Sequence, residues 1–577
     1  MVDMRVWAPV ACEVKLHSNN QVLAMEKNAG GWWHVDVPFM HHGVDYAYEV
    51  DSNGPFPDPR SFWQPNGIHG PSRWVDHSLF DWTDAGWQQP PLGSAVIYEL
   101  HLGTFTPEGT CDAAILRLDH LVKLGITHVE LMPVAQFSGS RGWGYDGVDL
   151  YAPHQAYGGP DGLKRLVDAC HQRGLAVVLD VVYNHLGPAG NYLSQFGPYF
   201  TARYATPWGE AVNFDEPDSH EVRQFFVDNA LMWLQEYHMD GLRIDAVHAI
   251  LDTSAIHFLE TLANAVKNLE AALGKHFVLI AESDLNDLRV VRSPAVGGYG
   301  IDAQWNEDFH HALHAVLTGE NQGYYQDFGT LSQLARVLTN GLVYDGCYSV
   351  YRRRCHGRPA TGLSGTQFVG CLQNHDQVGN RALGERTGRL LSLDLLKIGA
   401  ALVLTSPFVP MLFQGEEWGA STPFLYFTDH QEPDLGEAVR RGRQKEFAAF
   451  GWEPEKIPDP QAEKTFLQSR PNWDELHQEP HNQILDWHQS LIKLRRRLPD
   501  LTDGRMEKIC VFYDETQQWL IMTRGSVVVA CNFSQVPQSV SCAGVKDKKT
   551  VLCSKKGLVA KEDTLLLPEG TVAILVG

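Results

Sequence analysis

Four short apolar runs in this 577-residue chain stop on polar residues able to combine proton transfer with nucleophilic attack. DVVYNH ends with Asp180, Asn184 and His185, GLRID with Arg243 and Asp245, IAES with Glu282, and LQNHD with His375 and Asp376. A single acid after a strand is commonly a helix cap or a solvated loop position. Four such endings in order, three of them with an Arg, His or Asn companion, are not explained by capping. Cleaving a glycosidic bond needs one ionised carboxylate at the anomeric carbon and one protonated carboxyl at the leaving oxygen, in environments that pull their pKa values apart. Arg243 lies two residues before Asp245 on one strand, so both side chains face the same way and the guanidinium is expected to keep Asp245 ionised, as the nucleophile. Glu282 follows the apolar run VLIA, and desolvation there is expected to hold its proton near neutral pH, making it the general acid and then base. Asp376, next to His375, is expected to brace sugar hydroxyls beside the reacting carbon, contacts that tighten in an oxocarbenium-like transition state.

The elements around these residues predict how they are positioned. From Ala95 onward short apolar runs alternate with amphipathic helical segments: VIYEL, ILRLDHLVKLG, THVELMPV, GLKRLVDACHQRG, AVVLDVV. Further strand candidates are GLRID, VLIAES, FVGCLQNHD and VPMLFQGEE. Strand and helix in strict alternation over residues 92–500 predict a (β/α)8 TIM barrel with loop insertions, whose active site lies at the C-terminal ends of the strands. Before it, residues 1–91 carry short alternating strands (RVWAP, CEVKLH, DYAYEV) and read as an immunoglobulin-like β-sandwich, closed by the Pro- and Gly-rich stretch PFPDPRSFWQPNGIHGPS. After it, residues 501–577 return to strands without helices (VVVACNF, TVLCSKK, TVAILVG) and predict a C-terminal β-sandwich. A chain of this length needs more than one core, since single cores stop growing at roughly 250–300 residues.

DVVYNH, GLRIDAVHAI, AESD and QNHD together resemble the four ordered signature segments of the α-amylase superfamily of glycoside hydrolases. The resemblance implies a retaining mechanism through a covalent glycosyl intermediate, with Arg243 and His375 in supporting positions, His185 at the glucose subsite being cleaved, and Tyr145 of GWGYDGVDLYAP as a stacking tyrosine. Within the superfamily, RVWAP, PDPRSFWQPNGIHGPS, VIYELHLGTF, NEDFHHALH, HGRPATG and QNHDQVGNRALGER resemble the malto-oligosyltrehalose trehalohydrolase family over nearly the whole chain. That implies hydrolysis of the α-1,4 bond next to the terminal trehalose of a malto-oligosyltrehalose, a substrate supplied by a malto-oligosyltrehalose synthase, with no metal or organic cofactor. It also implies that His248, three residues past Asp245, contacts leaving-group sugars. Asp284, Asp287, Tyr351 and Arg352 on other rim loops are candidates for trehalose hydroxyls or rings, each with a solvated loop as the alternative, and Gln377 follows Asp376 directly. Asn184 stands where many amylases ligate calcium, but LGPAGNYL after it offers no carboxylate, so no structural calcium is expected.

Two other readings are weighed against this one. A 1,4-α-glucan branching enzyme has a similar N-terminal module and WGY segment, but AESD, NHDQ and DFHHALH resemble the trehalohydrolase forms. A non-catalytic glycan-binding scaffold would have no use for all three acids. A formal charge of -22, from 47 Lys+Arg against 69 Asp+Glu, repels phosphate backbones and anionic lipid, so neither nucleic acid nor membrane is an expected partner. No basic segment leads into an apolar run at the N-terminus, so a cytoplasmic protein, monomer or homodimer, is expected. The ten cysteines include no CxxC pair. Cys510, Cys531, Cys542 and Cys553 fall in the C-terminal strands, as small core residues or a disulfide. Trp32, Trp33 and Trp63 read as core or interdomain residues, or as a separate glycan site.

Overall fold

The computed structural model describes residues 1–448 and 453–577. Alternating apolar positions build the N-terminal sandwich: Val2–Trp7 pairs antiparallel with Trp32–Val37, and Val14–Ser18 lies between Gln21–Ala24 and Asp45–Val50 in a second sheet. Met4, Val6, Leu16 and Tyr48 point inward into a shared core. The Pro-rich stretch that follows is irregular, as its composition predicts, and it binds this sandwich to the barrel. Arg60 Nη1 donates to Asp228 Oδ2 at 2.7 Å and to the Tyr151 hydroxyl at 3.0 Å. Trp63 Nε1 donates to Gln155 Oε1 at 2.6 Å, an interdomain role, whereas Trp33 is a core residue donating to the Ala8 carbonyl at 3.0 Å.

Eight parallel strands close into a barrel: Ile97–Leu100, His128–Leu131, Ala176–Val181, Gly241–Ile244, Val278–Ala281, Ala303–Trp305, Phe368–Cys371 and Val409–Phe413, the last pairing back onto the first. The seven runs expected from the sequence all form strands of it. The sixth, Ala303–Trp305, is three residues long and carries too little apolar pattern to be recognised. Ile97, Val178, Val278, Ile280, Ala303, Val369, Val409 and Met411 fill the barrel interior, so the polar residues above them rest on a packed floor.

The C-terminal strands form a five-stranded antiparallel sheet, Ile509–Asp514, Trp519–Arg524, Val527–Asn532, Thr571–Val576 and Lys549–Cys553 in spatial order, facing a three-stranded one. All six residues of Val527–Asn532 are buried, because one face packs on the second sheet and the other joins the barrel core. Cys531 and Cys542 are buried, Cys510 is exposed, and all ten cysteines are free thiols. Among the described residues no helix is long and apolar enough to cross a membrane.

Buried arginines fasten this sheet to the barrel. Arg524 Nη1 donates to the carbonyls of Thr405 and Ser406, both at 2.7 Å, and Nη2 to that of Asp503 at 2.7 Å. Arg524→Ala strands these carbonyls in a dry interface and is expected to destabilise the protein by about 2–4 kcal/mol. The midpoint of chemical denaturation measures this, and an unchanged midpoint contradicts it.

Candidate active site

Each sequence-predicted acid sits where its strand ends. Asp245 follows the fourth strand and Glu282 the fifth, while His375 and Asp376 occupy the first turn of a short helix after the seventh. Asn374 caps that helix by accepting from the backbone N–H of Asp376 and Gln377, which fixes the direction of both side chains. Arg243 lies wholly buried beneath, its guanidinium 4.0 Å over the Trp305 ring. It joins three carboxylates: Nη1 donates to Asp180 Oδ2 at 2.6 Å and Asp245 Oδ1 at 2.9 Å, and Nη2 to Glu282 Oε2 at 2.9 Å.

The backbone turns sharply after Asp245. Ala246 adopts φ 38°, a left-handed conformation that costs a side-chain-bearing residue on the order of 1–2 kcal/mol. The turn aims the Ala246 N–H at Glu282 Oε2, 2.8 Å away. This pairing reverses the expected order of protonation in the substrate-free site. Burial raises the Glu282 carboxyl, but Arg243 and the Ala246 N–H outweigh it and hold it below its ordinary value. Asp245 shares Nη1 with Asp180, so burial and the charge of Glu282 prevail and hold it well above. The expectation that Arg243 keeps Asp245 ionised therefore holds for Glu282 instead, because the other arm of the guanidinium reaches Glu282 across the strands. Asp376 is also raised, by burial and by Glu282, with His375 opposing.

A second chain of hydrogen bonds enters from the first strand, and the sequence reading missed it. Glu99 Oε1 meets His375 Nδ1 at 2.5 Å and Oε2 accepts from the His375 backbone N–H at 3.0 Å. The opposite ring nitrogen meets the Tyr145 hydroxyl at 2.8 Å, and that hydroxyl donates to Asp180 Oδ2 at 2.6 Å. The Tyr145 and His375 rings also stack, with centroids 5.1 Å apart. Burial works against a charge on His375, but Glu99 and Asp376 outweigh it and push its pKa up to about 9. Glu130, paired in register with Glu99, has both carboxylate oxygens buried without a protein partner; burial and the charge of Glu99 push its pKa well above the ordinary carboxylate range. The imidazolium is thus present below about pH 9 and lost as pH rises through that value. Glu99→Gln removes the carboxylate that holds it, so the alkaline limb of kcat/KM is expected to move down by about a pH unit or more. Superimposable pH profiles for wild type and variant contradict this.

The remaining candidates divide. His185 is buried, its Nε2 is 3.1 Å from the Tyr145 carbonyl, and its ring stacks at 4.4 Å on Trp208, an exposed aromatic the sequence reading did not select. Arg352 Nη1 donates to Asp284 Oδ2 at 2.9 Å; burial opposes ionisation of Asp284, but His248 and Arg352 outweigh it and keep Asp284 ionised. Gln377 Nε2 donates to Glu307 Oε2 at 3.2 Å. His248, Asp284 and Arg352 are thus tied to one another by contact or charge, and Gln377 is tied to Glu307. Asp287 is instead bound by its neighbour Arg289 at 2.6 Å, and Tyr351 is 44% exposed on its loop, so the structure does not join these two to the others. The Asn184 amide is buried without a protein partner. Among the described residues no group of three or more His, Cys, Asp or Glu side chains is placed to hold a metal ion.

A family model for the α-amylase catalytic domain matches residues 59–202, and one for carbohydrate-binding module 48, the isoamylase N-terminal domain, matches residues 1–66. A malto-oligosyltrehalose trehalohydrolase of Arthrobacter ramosus is 53% identical over 499 residues, covering 86% of this chain and 87% of that protein. Another, of Mycobacterium tuberculosis, is 49% identical over 550 residues, 94% of each chain. A crystal structure of a Salmonella typhimurium protein named "putative alpha amylase" superposes with a TM-score of 0.91 at 38% identity, covering 100% of this chain and 97% of that one.

Proposed function

The chain belongs to the malto-oligosyltrehalose trehalohydrolase family, a group of α-amylase-type glycoside hydrolases, and we propose that it cleaves the α-1,4 bond joining a maltodextrin to its terminal trehalose. Asp245 attacks C1 of the last maltodextrin glucose while Glu282 donates its proton to the departing O4 of trehalose. Trehalose leaves. Glu282, now a base, takes a proton from water, whose oxygen attacks C1 and releases Asp245 and a maltodextrin of retained α configuration.

The observation that carries this reading is the single guanidinium spanning Asp245 and Glu282, each at 2.9 Å. It holds a nucleophile and a proton donor at one rim, the pairing that the two-step mechanism of the family uses. In the substrate-free site burial and Glu282 push the Asp245 carboxyl up, while Arg243 and the Ala246 N–H hold Glu282 down. A sugar ring entering between the two displaces solvent, and positive charge developing at C1 favours the arrangement with the anion on Asp245 and the proton on Glu282. Asp376, backed by the His375 cation, takes the hydroxyls beside C1, and His185 with Tyr145 holds the same ring.

We divide the chain into functional units at residues 1–91, 92–500 and 501–577, the first being glycan-module-like, and place the enzyme after a malto-oligosyltrehalose synthase. Incubation with maltopentaosyl-trehalose tests the reading: free trehalose and maltopentaose are expected. Branched glucan without free trehalose would make the chain a transferase and overturn the proposal.

A further inference from the structure

The sixth strand, hidden in the sequence, delivers an acid to the rim that the mechanism does not use. After Trp305 the chain turns at Asn306, which caps the following helix Glu307–Thr318 by accepting from the Phe309 N–H at 3.0 Å. Glu307 is the first residue of that helix. Its Oε2 accepts from Gln377 Nε2 at 3.2 Å and stands 3.5 Å from His311 Nε2, with 18% of the side chain exposed. Asn306 already caps the helix, so capping does not account for an acid here. A first-turn acid ordinarily stabilises a helix as an anion. This one is pushed the other way, to about 8, by burial and by the charges of Glu282, Asp376 and Asp284.

Glu282 protonates the leaving oxygen and Asp376 takes the hydroxyls beside C1, so Glu307, bonded to Gln377 and in the field of Glu282, Asp376 and Asp284, stands beside the bond being cleaved. Polar atoms are left over there: Gln377 Oε1, Arg352 Nε and His248 Nδ1 are each buried without a protein partner. A neutral carboxyl beside an amide offers donors and acceptors together without adding another anion next to the proton donor, which suits the paired hydroxyls of a glucosyl ring.

We propose that Glu307, acting with Gln377, reads hydroxyls of the leaving disaccharide and sets the preference for a trehalose end over a free reducing end. The proposal rests on the trehalose-releasing reading given above. Sites that hydrogen-bond a substrate hydroxyl discriminate strongly, because a mismatched ligand leaves buried polar groups unpaired.

The test compares two substrates of equal length, maltopentaosyl-trehalose and maltoheptaose, on wild type, Glu307→Ala, Glu307→Asp and Glu307→Gln. Glu307→Ala is expected to lower kcat/KM for the trehalose-ended substrate at least about tenfold more than for maltoheptaose. Glu307→Asp, which keeps the carboxyl but shortens its reach, is expected to move the same ratio in the same direction and decides the matter if the alanine variant does not fold. Glu307→Gln keeps a donor and an acceptor and is expected to retain the preference within about threefold. Equal losses on both substrates in the folded alanine or aspartate variant overturn the role of Glu307. A wild type that releases no trehalose overturns the functional reading itself, whatever the variants do.

Discussion

Glu282→Gln is expected to fold normally and to lose about 10²–10⁴-fold in turnover on maltopentaosyl-trehalose. The amide matches the carboxyl in shape and can still accept from the Ala246 N–H, which Glu282 Oε2 meets at 2.8 Å. It has no proton to give to the sugar oxygen. The loss therefore depends on the leaving group: a maltodextrin glycoside of an acidic phenol needs no proton to depart, and its first step is expected to run at close to the wild-type rate in the variant. Glycosyl-enzyme then accumulates, because the same residue must activate water in the second step. A burst of phenol followed by a slow steady state is the signature. If the phenol glycoside gives no burst and its first step slows as much as that of the natural substrate, Glu282 is not the acid.

Asp245→Asn is the complementary case and carries the largest expected loss, on the order of 10⁴-fold or more, since no covalent intermediate forms and nothing balances positive charge at C1. A good leaving group does not help, so the phenol glycoside is expected to be as inert as the natural substrate, with no burst. The fold survives, because Arg243 keeps Asp180 at 2.6 Å and Glu282 at 2.9 Å. Initial rates on both substrates, with a thermal melt to show folding, separate the two roles. A burst in Asp245→Asn places the nucleophile elsewhere.

The contrast between these residues and the ones that escaped notice is physical. Asp245, Glu282 and Asp376 stand out because a β-strand reads as a short apolar run, and a charge at its end breaks that run. Glu99 sits inside VIYEL on a barrel strand and looks like an interruption of core. Only closure of the barrel brings it to His375, 276 residues away in sequence. Glu307 looks like an ordinary first-turn acid, and the strand before it, Ala303–Trp305, is too short to show that a barrel rim lies there. Arg243 and Asp245 were paired correctly by their spacing. The second arm of the guanidinium, which reaches Glu282 and reverses the substrate-free protonation order, is a cross-strand contact that spacing along one strand cannot reveal. Asp287 is held by Arg289, two residues on, a local pairing that its position on a rim loop does not reveal.

The fold was more legible than the site's wiring, because periodicity is a local property and charge balance is not. Seven apolar runs gave seven of the eight barrel strands, and the alternating N- and C-terminal segments formed the two flanking sets of antiparallel sheets. The protonation of the acids depends on which of several carboxylates a single buried arginine serves, and that is settled only by the packed barrel.

Retaining hydrolysis at the bond next to trehalose is decided by proton NMR on fresh enzyme with maltopentaosyl-trehalose. The predicted spectrum shows trehalose and α-maltopentaose rising together in equal amounts, with the β-anomer appearing only later by mutarotation. β-Maltopentaose as the first product, or shorter sugars released while the trehalose-ended fragment persists, contradicts it.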